Sequence, residues 1–120
     1  MVTALAHGDP VLSNVLRTTR GGLVLLDWEL AGRLPVGHDA AKLVLGSDDA
    51  ETLLDEVEPD FVRHSLPGDL PWASQVAVGI VRMLGGWQKQ RSSATASGRA
   101  APYERGLLRR LTLLDRLLGA

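Results

Sequence analysis

The chain has 120 residues, 45% of them apolar and 22% charged, with a formal net charge of −1. That composition suits an ordinary soluble unit with one hydrophobic core, and the length is short for a two-lobed enzyme. The lack of cysteine excludes disulfides and thiolate-bound metals, and with no apolar run near ~20 residues and no basic-then-apolar leader, the expectation is a cytoplasmic protein without a membrane partner.

Residues 3–6 (Thr-Ala-Leu-Ala) read as a short apolar approach to His7-Gly8-Asp9. Val15–Thr18 and Leu23–Leu26 are β-rich runs on either side of Arg20-Gly21-Gly22, which predicts a hairpin because glycine accepts positive φ in tight turns. From Asp39 onward the pattern turns helical. Asp39 can cap a short helix from Ala40 to Leu45, and Ser47 or Asp48 a second, with Ala50, Leu53, Leu54 and Val57 on one face and Pro59 soon after its end. Leu66–Pro71 reads as a turn. Trp72, Val76, Ile80, Met83, Leu84 and Trp87 recur at three- and four-residue steps, the stripe of one buried helix face rather than a ligand-stacking surface. Residues 91–101, rich in Ser, Ala and Gly, have little to bury and are expected to form a mobile loop. Pro102 then opens a last helix with Leu107, Leu108, Leu111, Leu114, Leu117 and Leu118 inward. No internal repeat is visible.

Charge is distributed unevenly. Residues 1–60 carry 11 acidic and 4 basic side chains, residues 61–120 carry 3 acidic and 9 basic. Arg105, Arg109, Arg110 and Arg116 alternate with leucines at helical spacing, so they describe the wet face of an amphipathic helix better than a nucleic-acid footprint. The acidic run from Asp48 to Asp60 reads as a solvated helix start, with attraction of a cationic substrate as the functional alternative.

The residues that bear chemistry lie at the ends of the predicted hairpin. His7-x-Asp9 is followed five residues on by Asn14, and Asp27 ends the second apolar run. An Asp, an Asn and a second Asp in that order can supply a base for a hydroxyl proton and two hard oxygens for magnesium, the parts of a phosphoryl-transfer site. Loop capping of neighbouring amides by Asp9 and Asn14 is the structural alternative.

At "LAHGDPVLSNVL", "LVLLDWELAG" and "LPVGHDAAKLV", about residues 4–44, the chain resembles the aminoglycoside phosphotransferase and choline kinase-like superfamily. The resemblance implies an α+β, mostly helical fold: a protein kinase-like C-terminal lobe with a catalytic loop and hairpin over residues 4–29, then about four helices over 39–118. It implies Asp9 as catalytic base, Asn14 and Asp27 as magnesium ligands, and transfer of the ATP γ-phosphate to a hydroxyl of a small molecule. Glu29 would reach a second metal or the acceptor, or form a surface salt bridge. His7 and Asp39 would support the loop, Asp39 by bracing the backbone of His7-x-Asp9. Trp28 would pack, and His38 and His64 receive no role.

A full member of that superfamily has a nucleotide-covering lobe with a phosphate loop and a strand lysine. Only six residues precede His7, and the two lysines, Lys42 and Lys89, stand in helical contexts after the metal motif. The expectation is therefore a single partial domain over 1–120, inactive alone, its exposed lobe surface open to a missing N-terminal lobe or to self-association. A non-catalytic binding or scaffold module is the alternative.

Overall fold

The structure is a computed structural model that describes residues 2–119. It is α+β and mostly helical, with four short strands and five helices among the described residues. Two compact units meet at the Val76–Ala77 bond, inside the third helix.

In the first unit, β1 (Thr3–Ala6) pairs antiparallel with β4 (Gly32–Pro35), with Ala6 opposite Gly32. Arg33 ties the pair further by donating to the Thr3 hydroxyl and carbonyl. Residues 3–6 are thus a strand rather than a bare approach to the loop. The signal was weak because β1 holds two alanines and β4 a glycine and a proline, residues depleted in strands. The partner also lies some thirty positions away. The predicted hairpin forms between β2 (Val15–Arg17) and β3 (Leu23–Leu25), with Val15 opposite Leu25. Its loop closes through Thr18 N–H to the Gly22 carbonyl and Gly22 N–H to the Thr18 hydroxyl. The ribbon exposes much of its apolar surface: Leu16, Leu23, Val24, Leu25, Leu26, Trp28 and Leu30 are all exposed.

Helix α1 spans His38–Leu45 and α2 Ala50–His64. The core of this unit is built from Ala41, Val44 and Leu45 of α1, Leu54 of α2, and Trp72 and Val76 of α3 (Trp72–Leu84). Phe61 and Trp72 stack at a tilt with centroids 5.1 Å apart. Two details differ from expectation. Pro59 lies inside α2, not beyond it. The hydrogen bond it forfeits would have gone to Asp55, which is exposed, so water can satisfy that carbonyl. Neither Asp39 nor Ser47 nor Asp48 caps a helix: α1 begins at His38, Asp49 occupies the cap position of α2 without a side-chain bond, and the Ser47 hydroxyl donates to Val44 instead.

In the second unit the expected mobile loop at 91–101 is mostly helix. α4 covers Trp87–Ala96, so the Trp72–Trp87 stripe is two helices parted at Gly85-Gly86, and the total is five rather than four. Alanine favours helix, and the Thr95 and Ser97 hydroxyls fold back on carbonyls four residues earlier, so the polar side chains are accommodated without burial. Gly98, at φ 72°, ends α4: Arg99 N–H reaches Ala94 and Gly98 N–H reaches Thr95, the paired bonds of a Schellman stop. α5 (Ala100–Gly119) returns along α4, joined by the Arg91–Glu104 ion pair at 2.8 Å and by the Tyr103 hydroxyl, 3.1 Å from the Trp87 carbonyl.

The covered face of α5 is rotated from the predicted one. Leu113 is its buried residue, with Tyr103, Leu107, Arg110, Leu114 and Leu117 half-buried beside it, whereas Leu108, Leu111 and Leu118 are exposed. A leucine-rich helix offers two overlapping stripes, and the stripe that wins here includes Arg110, whose aliphatic stem covers apolar surface. Burial lowers the Arg110 pKa from its usual value, against an opposing effect of Tyr103, and the guanidinium stays charged.

Candidate active site

The loop after β1 must turn sharply to bring Asp9 back toward the hairpin, and Gly8 makes this possible. It sits at φ 91°, and a Cβ there would lie 2.2 Å from the Leu30 carbonyl oxygen. Only glycine fits. The residues on either side are then fixed by an unusually complete set of hydrogen bonds.

His7 is buried, and both ring nitrogens are occupied. Nδ1 accepts the Asp9 N–H at 3.1 Å, which leaves Nε2 to donate to the Leu26 carbonyl at 2.7 Å. This pattern defines one neutral tautomer and links the loop to the end of β3. Trp28 stands edge-on against the ring, 4.6 Å between centroids, and donates its indole N–H to Leu25. With both nitrogens engaged, the His7 ring ties the loop to the end of the hairpin.

Asp39 accepts the His7 N–H at 2.7 Å and the Gly8 N–H at 3.0 Å, one on each carboxylate oxygen. Charge-assisted bonds to two successive amides fix the backbone of the turn. Two further residues of α1 reach the same turn. His38 donates from Nε2 to the Gly8 carbonyl at 3.2 Å, and Lys42 donates to that oxygen at 3.2 Å. The Lys42 ammonium also lies 2.7 Å from Asp9 Oδ1. Helix α1 is held from behind by Gln75, which is buried, accepts the Gly37 N–H and donates to the Leu70 carbonyl at 3.0 Å.

Asn14 closes the other side. Its Nδ2 donates to the Asp9 carbonyl at 3.0 Å and approaches Asp9 Oδ2 at 3.4 Å, and its Oδ1 has no hydrogen-bond partner among the described residues. Its backbone carbonyl accepts Leu26 N–H at 2.7 Å, one residue before Asp27. Asp27 is exposed and takes φ 60°, a left-handed conformation that costs a non-glycine residue about 1–2 kcal/mol. Its carboxylate makes no hydrogen bond or ion pair among the described residues. Of the predicted site residues, the structure brings His7, Asp9, Asn14 and Asp39 into direct contact and attaches Asp27 through Leu26. It gives Glu29, also exposed, no partner there.

Magnesium fits what is present. One unpaired amide oxygen and one unpaired carboxylate, flanking the same end of the hairpin, are hard donors, and this ion keeps most of its shell for water and phosphate. No group of three His, Cys, Asp or Glu side chains able to hold a metal occurs among the described residues.

Lys42, His38 and Gln75 join the site without having been expected there. The first two were visible in principle: His38, Asp39 and Lys42 stand at steps of one and three on α1, so neighbouring positions over one turn of the helix can present all of them. Gln75 carried no signal, since a polar residue in an apolar stripe does not reveal its partner.

The fold, α+β and mostly helical, is compatible with a kinase-like lobe. Residues 2–74 match the model of the phosphotransferase enzyme family, and the chain belongs to that family, within the aminoglycoside phosphotransferase and kinase-like superfamily. No curated protein and no solved structure matches the chain. The match covers the loop, the hairpin, α1, α2 and the start of α3, and stops before the second unit. Among the described residues no helix is long and apolar enough to cross a membrane.

Proposed function

We propose that the chain supplies the acceptor-activating and metal-holding part of an ATP-dependent phosphotransferase acting on a small-molecule hydroxyl, in the cytoplasm. The observation that supports this is the Asp9 carboxylate, half-exposed at a braced turn and shared between Lys42 and Asn14, in a chain of the phosphotransferase family. Asp9 would accept the hydroxyl proton as the acceptor oxygen bonds to the γ-phosphorus and the bond to the β-phosphate oxygen breaks, leaving ADP. Asn14 Oδ1 and the Asp27 carboxylate would hold magnesium, which when bound offsets the charge of the phosphates. The free carboxylate of Glu29 would serve the acceptor or a second cation.

The 120 residues contain no glycine-rich loop and strand lysine to cover the nucleotide. Turnover is therefore expected to need a nucleotide-covering segment besides them, and the exposed ribbon of β2 and β3 is the surface proposed to receive it or a second copy of the chain. The test is magnesium-dependent release of ADP, by the chain alone and by any longer product that its gene encodes, against a panel of hydroxyl acceptors. Replacing the base, Asp9→Asn, should lower kcat at least about 10²-fold. Unchanged turnover in that variant would reject the assigned mechanism. Absence of turnover in every wild-type preparation would favour the non-catalytic module.

A further inference from the structure

Asp9 is fixed at its backbone from both sides, yet a carboxylate still turns about two side-chain bonds. Two groups determine where it points: the Lys42 ammonium, 2.7 Å from Oδ1, and the Asn14 amide, 3.4 Å from Oδ2. The lysine contact is the shorter and the charged one, so it dominates. Lys42 is itself anchored by its bond to the Gly8 carbonyl, an acceptor inside the same turn and shared with His38. Its side chain is 22% exposed and that of Asp9 29%.

An ion pair this exposed contributes little to stability, because water screens the charges and ordering a long side chain costs entropy. Its geometry is the informative part. Lys42 lies one helical turn beyond His38 and three residues beyond Asp39, the residue that accepts the two amides of the turn. Residues from both turns of α1 thus grip the backbone of the turn and the functional group that the turn presents.

We infer that Lys42 is a positioning residue, which holds the Asp9 carboxylate in the orientation needed to receive the acceptor proton. This rests on the phosphotransfer reading given above. A misplacement of about 1 Å in a reacting group is enough to cost about 10²-fold in rate. Removing the ammonium should therefore slow the chemical step without loosening the nucleotide. A purely structural lysine would affect folding and leave kcat alone, and a phosphate-gripping lysine would raise the nucleotide KM.

The experiment has two arms. In the chain as it stands, the Lys42 side-chain ammonium resonance is followed by NMR in wild type and in Asp9→Asn. The pair predicts a protected signal that shifts or vanishes when the charge on residue 9 is removed. In the preparation that turns over ATP, Lys42→Met should lower kcat about 10- to 100-fold with nucleotide KM within about twofold, and Lys42→Arg should recover most of the loss. An ammonium signal indifferent to Asp9→Asn overturns the inference, as does full kcat in Lys42→Met or a loss carried mainly by KM. If no wild-type preparation turns over while the ammonium signal still responds to Asp9→Asn, the phosphotransfer reading fails. Lys42 is then a structural ion pair and the inference falls with that reading.

Discussion

The turn around Gly8 and the turn around Gly98 both use a glycine at positive φ, and they are stabilised in opposite ways. At Gly98 the bonds are local: Arg99 to Ala94, Gly98 to Thr95, Ser97 to Ser93. At Gly8 they come from far along the chain, from Asp39, His38 and Lys42 on α1 and from the end of β3 through His7. A local stop can form as soon as its helix does. The Gly8 turn exists only when α1, the hairpin and the β1–β4 pair are all in place. It follows that damage to the first turn should be large and global, and damage to the second small and confined.

The largest effect is expected from Gly8→Ala. The substitution adds left-handed strain to a Cβ that meets the Leu30 carbonyl oxygen at 2.2 Å, and backbone cannot yield as a side chain does. A loss of about 3–5 kcal/mol in urea unfolding is expected, against about 1 kcal/mol for Gly21→Ala, whose Cβ would meet open space. Equal losses at the two sites would remove the contrast. Next comes a test of the corrected face of α5. Leu113→Ala should cost about 2–4 kcal/mol, and Leu108→Ala, at 62% exposure, less than about 1 kcal/mol. The reverse order would restore the face that leucine spacing alone suggests.

The same contrast explains how much could be read in advance. The hairpin was legible because β-rich runs flank two glycines, and the spacing of His7, Asp9, Asn14 and Asp27 was legible because a loop motif is written contiguously. α4 was not. Ser, Thr and Ala at 92–96 look like a linker until one sees that the Thr95 hydroxyl bonds back along its own helix and only Ala94 is buried. β1 and β4 were missed because strand pairing is a property of two segments, and neither segment alone carries a β signature. Lys42 stands in a helix, unlike a strand-borne nucleotide lysine, and that helix is the arm by which it reaches Asp9. Periodicity reports which face of α1 is buried, and it is silent about a long side chain that leaves the end of that face.

Asp39→Ala should cost about 2–3 kcal/mol, since the His7 and Gly8 amides both lose a charged acceptor in a buried turn. Asp39→Asn is the sharper variant. It keeps one oxygen and so one of the two bonds, and it faces the other amide with an N–H instead of an acceptor. It should fall between wild type and alanine in stability and still lose most of any turnover, because the backbone conformation at Gly8 sets where its carbonyl holds Lys42. Gly98→Ala should cost only about 1 kcal/mol, from left-handed strain, with open space around the added methyl. Amide exchange should quicken at Arg99 and through the last turn of α4, while the His7, Gly8 and Asp9 amides keep their protection. Faster exchange at those three amides would show that the Gly8 turn depends on the α4–α5 hairpin, and the distinction between a local stop and a distributed brace would fail.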